Sequence, residues 1–466
     1  MSDKFVGRKI TRLEDDDLLA GEATFVDDIL IEGMLHLAVV RSQLAHAKIK
    51  SIDVSAAKEL KGVVAVYVID DLLKVLSQER VPENFPSPGE RVDVGPYILA
   101  RNEVCYVGEP VVAILAENRY IAEDAVLLVE VDYEPLPTVS DPRSSAQAGA
   151  PPVDSRQTDS GNVVHDLTFG HGDVRQAFLD AAHIVSSEFY QHRGVSNSME
   201  CRGSIARYDQ VRETFTMWSS CQAPHSHRSI IVFLLGLDES QVRVIVPNVG
   251  GGFGPKLLFY PEDAIISAAA ILLGRPIKWV EDRREHLVTT TQERDQIWEV
   301  EMAADNEGKI LGLRGKMYHD QGAYTARGFN IPFSAATTIL GPYIIPNYEL
   351  NVVTAHTNKV PSTSMRGAGH PQGCFTMERL VDLLADEVGL DRTTVREKNM
   401  IRLEDMPYAH PLKTQAGQQI VYDSGNYMKC QRDLLQEMQF SDFSSRKQKA
   451  LDEGRYLGFG MANYVK

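Results

Sequence analysis

Apolar residues in the first third of the chain fall into short runs with two different periods. Four segments have the alternating or continuous apolar pattern of strands: residues 34–40, 63–69, 106–115 and 129–133. Two segments between them have helical spacing: residues 55–60 and 120–128. This order predicts a small mixed α/β domain in residues 1–140.

A proline-rich stretch follows this first region. Residues 136–163 hold four prolines among many serine, glycine, aspartate and alanine residues: Pro137, Pro142, Pro151 and Pro152. This composition predicts a stretch that buries no apolar face. We therefore expect residues 141–160 to be a linker.

Helical patterns dominate the region after the linker. Five segments predict helices: residues 173–182, 224–237, 262–273, 375–388 and 391–401, the last capped by Asp391. Residues 242–246 predict a strand that leads directly into a glycine run. We assign residues 161–410 to a second, mixed α/β domain and residues 411–466 to the beginning of a third. The apolar run 457–466 predicts a strand that is just starting.

Composition and charge exclude several classes of protein. The 466 residues are 43% hydrophobic and 24% charged, which is typical of a folded globular protein. The net charge of −16 argues against sequence-independent binding to a nucleic-acid backbone. No apolar run approaches the length of a membrane span, and the first residues lack the apolar core of a signal peptide.

The spacing of the cysteines further narrows the class of protein and the cellular compartment. Five cysteines lie far apart, without a CxxC motif: Cys105, Cys201, Cys221, Cys374 and Cys430. This spacing argues against a disulfide scaffold, a zinc module and an iron–sulfur cluster held by this chain. It favours a reducing cytoplasm.

The glycine run at residues 246–256 is the most informative segment. Its glycines permit positive φ and let backbone N–H groups approach a ligand. A phosphate-binding P-loop does not fit, because Pro255 precedes Lys256 and Leu257 follows it. A dinucleotide fingerprint starting at Gly250 fails as well, because Pro255 occupies the position of its third glycine. A purely structural turn remains the alternative to a ligand turn.

Two further segments hold polar residues in turns. Arg366 stands between a Ser/Thr-rich approach and Gly367, and Pro371 follows at a helix start, so the arginine could bind an anion. Gln222 lies between a strand-like run and a helix. Taken singly, each residue is more simply an exposed turn or capping residue.

Together the three segments resemble the molybdenum hydroxylase family of xanthine dehydrogenases, aldehyde oxidases and carbon monoxide dehydrogenase large subunits. That family has a glutamine in a strand–helix turn, then a GGGFG turn, then an RGxGxPQ-type turn. Phe253 follows Gln222 by 31 residues, as in the family. Further segments resemble the family along the whole chain: residues 7–15, 106–110, 260–264, 274–279 and 378–382.

The resemblance implies an α+β fold, with a hammerhead-like N-terminal domain, a molybdopterin-binding domain and the start of a second one. It implies molybdenum on molybdopterin, or on its cytosine dinucleotide form, held through the pterin. The implied cofactor-binding residues are Gln222, Gly251, Gly252, Phe253, Gly254 and Arg366. Gln222, Phe253 and Arg366 would lie beside the ligands of the metal. Gln222 would hydrogen-bond an oxo ligand, and the backbone of Gly252, Phe253 and Gly254 would donate to the metal's oxygen ligand and the cofactor.

The implied reaction is hydroxylation with oxygen from water, and two substitutions narrow the substrate. Purine-oxidising members have a glutamate where this chain has Leu257 and a phenylalanine where it has Ala368. The copper-containing carbon monoxide enzymes have a cysteine shortly before the arginine, and residues 361–365 hold none. An aldehyde or an N-heteroaromatic compound is the expected substrate.

The resemblance also implies partners. Electrons would leave through [2Fe–2S] clusters and FAD on partner subunits, since no cysteine pattern here could hold a cluster. The family's glutamate base and its QGQG-like motif belong to a later part of longer chains, so we expect a second molybdopterin-binding subunit to supply them. The catalytic residue is unknown from this chain, and Glu200, Glu262 and Glu378 are more simply structural. The alternatives are a truncated fragment of a single-chain aldehyde oxidoreductase and a non-catalytic scaffold or assembly subunit.

Overall fold

The structure is a computed structural model, and it describes residues 7–83, 95–156, 161–327 and 329–465. The described residues form two compact units. The first unit comprises residues 7–83, 95–136 and 196–290, and the second comprises residues 137–156, 161–195 and 291–465 apart from 328. The chain therefore leaves the first unit near residue 137 and returns to it at residue 196. The domain limits given above from the sequence stay predictions.

The strands in chain order are β1 (Leu35–Arg41), β2 (Ala47–Asp53), β3 (Val63–Tyr67), β4 (Glu103–Val104), β5 (Pro110–Ala116), β6 (Glu130–Pro135), β7 (Val163–His171), β8 (His183–Gln191), β9 (Gly203–Asp209), β10 (Thr214–Ser219), β11 (Val242–Ile245), β12 (Ile277–Val280), β13 (Gln296–Ala304), β14 (Ile310–Gly322), β15 (Tyr348–His356), β16 (Tyr408–Lys413) and β17 (Gln419–Tyr422).

The α-helices are α1 (Asp15–Ala20), α2 (Ser55–Glu59), α3 (Ile69–Leu72), α4 (Arg119–Val126), α5 (Pro142–Ser145), α6 (Val174–Asp180), α7 (Pro224–Leu235), α8 (Pro261–Leu273), α9 (Arg283–Thr289), α10 (Asn330–Thr338), α11 (His370–Val388), α12 (Arg392–Asn399), α13 (Tyr427–Glu437) and α14 (Phe443–Asp452). Asp391 caps α12 through a hydrogen bond from the N–H of Thr393, as the sequence predicts. Within the described residues, no helix combines the length and apolar character needed to span a membrane.

The first unit contains a mixed seven-stranded sheet in the order β11-β10-β9-β12-β1-β5-β3. Its two sequence regions meet where β1 pairs in parallel with β12, with Leu35 opposite Ile277. A second sheet, β4-β2-β6, completes the unit. Helix α8 is apolar on nearly all sides, and it is buried along most of its length for that reason.

The second unit contains the five-stranded sheet β7-β15-β14-β13-β8 and the hairpin β16-β17. Helices α10 and α11 pack beside this sheet and share its hydrophobic core. Helix α11 starts at His370, five residues before the predicted start, because Pro371 is placed in its first turn. The mixed α/β fold predicted from the sequence is confirmed.

The expectation that residues 136–163 bury no face is wrong. Val139, Ser145 and Val153 are all buried in the second unit. Polar side chains make this burial possible, because Asn358 accepts a hydrogen bond from the N–H of Val139 and Asn162 accepts one from that of Val153. The prolines have no N–H to satisfy, and buried asparagines accept from two of the remaining N–H groups of the stretch.

The predicted strand at residues 457–466 is also wrong for the described part, residues 457–465, which has no regular secondary structure. An apolar run forms a strand only when a neighbouring strand accepts its backbone hydrogen bonds. Here the segment is held by helices instead. The carbonyl of Met461 accepts a hydrogen bond from Arg396, and the amide of Asn463 donates to Gln431.

Candidate functional site

The glycine turn follows strand β11 in the first unit and has an unusual backbone. Gly251 and Gly254 have φ values of 99° and 117°, a region that residues with a Cβ rarely adopt. Phe253 lies between them at φ 57°, although it is not a glycine. This backbone strain is localised in the segment that the sequence predicts to hold a ligand.

Gln222 lies directly against this turn. Its backbone N–H donates to the carbonyl of Lys256 at 2.8 Å, and its side-chain Oε1 accepts from the N–H of Gly254 at 2.9 Å. A Cβ at Gly252 would lie 2.5 Å from the Cδ and Oε1 of Gln222. Glycine is therefore required at 252 for the amide to occupy this position.

The hydrogen bond from Gly254 fixes the orientation of the Gln222 amide. Since Oε1 accepts from the backbone, Nε2 is the atom directed away from the turn, and it donates to no residue that the structure describes. Gln222 can therefore donate from Nε2 towards a ligand. The N–H of Gly254 donates to Gln222 and so orients the amide, while the contact of Gly254 with the cofactor stays a prediction.

Three consecutive N–H groups of the turn remain available. In the described part of the chain, no acceptor binds the N–H of Gly251, Gly252 or Phe253. Phe253 itself is 43% exposed. Successive free N–H groups in a turn with positive φ form a concave site for an anionic or oxo ligand. The turn therefore does more than connect β11 to α8.

Glu200 and Lys256 stabilise the turn through hydrogen bonds and an ion pair. The Oε2 atom of Glu200 accepts from the N–H of Gly250 and from the Nζ of Lys256, both at 2.8 Å. The N–H of Glu200 also donates to the carbonyl of Gly250. Burial lowers the pKa of Lys256. Glu200 therefore has a structural role in the turn, consistent with the sequence analysis.

The arginine turn lies in the second unit, at the start of helix α11. Three consecutive residues have positive φ: Gly367 at 110°, Ala368 at 48° and Gly369 at 97°. The guanidinium of Arg366 is exposed and forms no ion pair or hydrogen bond with any described residue. A free arginine beside the N-terminus of a 19-residue helix favours an anionic ligand.

The sequence analysis gave no role to Gln372, which follows the same turn. Its side chain is 0% exposed, yet neither Oε1 nor Nε2 has a hydrogen-bond partner among the described residues. An unpartnered buried amide costs about 1–3 kcal/mol, so such groups usually bind a ligand or water. The glutamine in the RGxGxPQ-type motif was the signal that could have identified it.

The remaining predicted residues fall on both units. Leu257 ends the short 3-10 helix Pro255–Leu257 beside the glycine turn, and Ala368 lies within the arginine turn. Glu262 pairs with Arg41 and Arg202, and Glu378 pairs with Arg396. These two acids are occupied by buried cations, which agrees with a structural role. The structure brings Gln222 together with the glycine turn in the first unit and places Arg366 with Ala368 in the second.

The residues present fit a cofactor with anionic and oxo groups. The first unit offers three free N–H donors and one oriented amide donor, without a side chain at 252 to obstruct approach. The second unit offers a free guanidinium and a buried unpartnered amide. In each unit taken by itself, these groups are hydrogen-bond donors or a cation rather than metal-ligating side chains, which suits a metal held by an organic cofactor rather than by the protein.

Two family models match the chain. Residues 156–400 match the molybdopterin cofactor-binding domain, and residues 20–137 match the α/β hammerhead domain of aldehyde oxidase and xanthine dehydrogenase. Both matches agree with the order of domains inferred from the motifs.

Individual relatives agree with these models. The chain is 36% identical to the large subunit of nicotine 6-hydroxylase from Paenarthrobacter nicotinovorans, over 99% of this chain and 55% of the relative. It is also 36% identical to the carbon monoxide dehydrogenase large chain of Hydrogenophaga pseudoflava, over 92% of this chain and 53% of the relative. The crystal structure of quinoline 2-oxidoreductase from Pseudomonas putida 86 superposes with a TM-score of 0.90 at 30% identity, covering 97% of this chain and 56% of that one. The chain thus spans about half the length of these relatives.

Proposed function

This chain belongs to the molybdenum hydroxylase family of aldehyde oxidases and xanthine dehydrogenases, and we propose from that premise that it is the molybdopterin-binding part of a multi-subunit hydroxylase. The reaction would oxidise an N-heteroaromatic compound or an aldehyde with oxygen taken from water. The observation that carries this proposal is the Gln222 amide. Its oxygen is held by the N–H of Gly254, so its Nε2 is available to donate beside three free backbone N–H groups.

Each residue of the turn has a part in binding. When bound, the molybdenum cofactor supplies the oxygen transfer and the two-electron oxidation. Gln222 would donate from Nε2 to an oxygen of the metal centre. The N–H groups of Gly251, Gly252 and Phe253 would donate to the same centre or the pterin, and the exposed Phe253 ring would limit the access of water. Such fixed donors stabilise negative charge without reorganising during the reaction.

Arg366 provides the positive charge in this proposal. Its guanidinium is free among the described residues, whereas the buried arginines Arg202 and Arg396 are occupied by acidic partners. A free and permanently charged group suits an anion-binding role at the metal centre. The test of this role is the loss of cofactor retention in Arg366→Met.

Leu257 and Ala368 support a heteroaromatic substrate that is not a purine. Leu257 offers no hydrogen bond to the edge of a purine, and Ala368 leaves space where purine-oxidising members have an aromatic ring. Nicotine 6-hydroxylase and quinoline 2-oxidoreductase are named for N-heteroaromatic compounds, which favours this class. Residues 361–365 contain no cysteine, which disfavours carbon monoxide despite the similarity to that enzyme's large chain.

We further propose that sequence outside these 466 residues completes the site. The matched relatives are about twice as long, and a second molybdopterin-binding subunit would supply the general base. An iron–sulfur subunit and an FAD subunit would accept the electrons. We also propose the cytosine dinucleotide form of the cofactor, and a location in the cytoplasm in view of the five free thiols.

Metal analysis and isotope labelling test the proposal. The native complex should contain about one molybdenum per copy of this chain and should hydroxylate quinoline-type compounds with label from H₂¹⁸O. Gln222→Ala should lower kcat by about 100-fold with the complex intact, because one oriented donor is lost. The exposed Gln176 provides a matched control, Gln176→Ala, that should change nothing. A complex replete with its partners but without molybdenum would instead support the scaffold alternative.

A further inference from the structure

We propose that Glu293 is a positioning residue that holds the arginine turn in the conformation that presents Arg366 to its ligand. This inference rests on the proposed function, since it concerns how the second unit binds the cofactor. Glu293 lies on the strand-like segment just before β13, far in sequence from Arg366. Neither the motifs nor the family resemblance pointed to it.

The contact is a hydrogen bond to the residue that precedes Arg366. The Oε2 atom of Glu293 accepts from the backbone N–H of Met365 at 3.1 Å. The other oxygen, Oε1, lies 2.9 Å from the Nη2 of Arg294. The carboxylate therefore accepts a hydrogen bond from the turn through Oε2, whereas Oε1 lies close to a cation but accepts no hydrogen bond from any described residue.

The backbone that carries this carboxylate is held by a short bridge. Glu293 and Gly194 form a short antiparallel bridge in which each N–H donates to the other carbonyl at 2.9 Å. A Cβ at Gly194 would lie 3.2 Å from the Nη1 of Arg294, so the bridge leaves little space for any other residue. The bridge therefore fixes the backbone from which the Glu293 side chain extends.

Backbone strain follows immediately after Glu293. Arg294 and Asp295 are consecutive non-glycine residues with φ values of 66° and 60°. Asp295 is held in place by Arg193 at 2.9 Å and by Lys359 at 2.8 Å. These buried ion pairs stabilise a conformation that the local sequence disfavours. The result is that Arg294 is directed back onto Glu293.

The contact requires one buried hydrogen-bond acceptor at this position and no charge. The side chain of Glu293 is completely buried, and burial raises its pKa to about 7. A glutamine could accept the same N–H without the cost of burying a charge. Glu293→Gln is therefore the conservative variant that keeps the contact with Met365.

Amide hydrogen exchange on the native complex tests the contact directly. In Glu293→Ala, exchange at the Met365 amide should accelerate at least about tenfold, because its acceptor is lost. Glu293→Gln keeps an acceptor oxygen and should restore protection to within about threefold. Glu301 offers a matched control, since it pairs with Arg314 on the same unit but is partly exposed. Glu301→Ala should leave Met365 exchange unchanged.

A kinetic readout separates positioning from simple stabilisation. Glu293→Ala should lower kcat about tenfold or more. Its thermal midpoint and molybdenum content should equal those of the Glu301→Ala control. Glu293→Gln should recover most of this loss. Unchanged Met365 exchange in Glu293→Ala, or an unchanged kcat at full molybdenum content, would overturn the inference. Absence of molybdenum from the wild-type complex would instead overturn the proposed function, while the exchange result would still report on Glu293.

Discussion

The glycine turn and the arginine turn are braced in the same way, by an acid that accepts a backbone N–H and pairs with a cation. They differ in which partner is buried. In the glycine turn the cation Lys256 is 2% exposed and the acid Glu200 is 19% exposed. In the arginine turn the acid Glu293 is 0% exposed and the cation Arg294 is 32% exposed.

The electrostatic cost therefore falls on opposite partners. Burial lowers the pKa of Lys256 beside the glycine turn and raises the pKa of Glu293 to about 7 beside the arginine turn. Desolvation always disfavours the charged form of the more deeply buried group. The comparison teaches that similar hydrogen-bond geometry can lower the pKa of the cation in one turn and raise the pKa of the acid in the other.

The largest expected effect comes from a substitution in the glycine turn that leaves the pairs Glu200–Lys256 and Glu293–Arg294 unchanged. Gly252→Ala places a Cβ 2.5 Å from the Gln222 amide and should displace it. We expect kcat to fall by about 100-fold or more, as when an oriented donor is lost from an active site. Steady-state kinetics on the intact complex measures it. Gly458→Ala, which meets no atom within 4 Å, is the control and should be silent.

The second prediction isolates the buried acid through pH. Because the pKa of Glu293 is raised in the folded state, its contribution to stability is full below about pH 4.5 and is lost as the pH rises through about 7. Glu293→Gln should therefore gain stability relative to wild type between pH 5 and pH 8. The expected gain is roughly 3 kcal/mol, from a shift between the ordinary and the folded pKa at 1.36 kcal/mol per unit. Parallel denaturation curves at both pH values check it, and a difference independent of pH would contradict it.

The third prediction tests the buried cation. Lys256→Met removes the partner of Glu200 and should destabilise the first unit by about 1–2 kcal/mol, less than a fully buried pair because Glu200 reaches solvent. The double variant Glu200→Gln/Lys256→Met keeps an acceptor for the N–H of Gly250. It should recover at least half of the loss in the same denaturation assay. Equal losses in the single and double variants would show that the pair is not coupled.

The sequence predicted the parts of the site that lie within one motif. The strand–turn–helix segments around Gln222 and the glycine turn follow from local pattern, but the roles expected of these residues came from the family resemblance and stay predictions. The sequence could not predict that Leu35 and Ile277 pair in one sheet, since strand pairing depends on long-range contacts. It missed Glu293 for the same reason, because its contact with Met365 spans 72 residues. The packing of the proline-rich stretch and the buried, unpartnered state of Gln372 both depend on tertiary contacts. Local composition does not show such contacts.

The smallest expected effect concerns Gln372. Substituting it tests whether its buried amide binds a ligand or has no ligand-binding role. Gln372→Leu replaces a buried unpartnered amide with an apolar side chain of similar size. Without ligand, the chain should gain about 1 kcal/mol of stability, because no buried polar group is left unsatisfied. If the amide binds the cofactor, molybdenum content in the native complex should fall while this gain in stability persists. Thermal melts of the cofactor-free chain and metal analysis of the complex measure the two effects separately. A stabilised variant with full molybdenum content would remove Gln372 from the site and leave Arg366 as the ligand-binding side chain of the second unit.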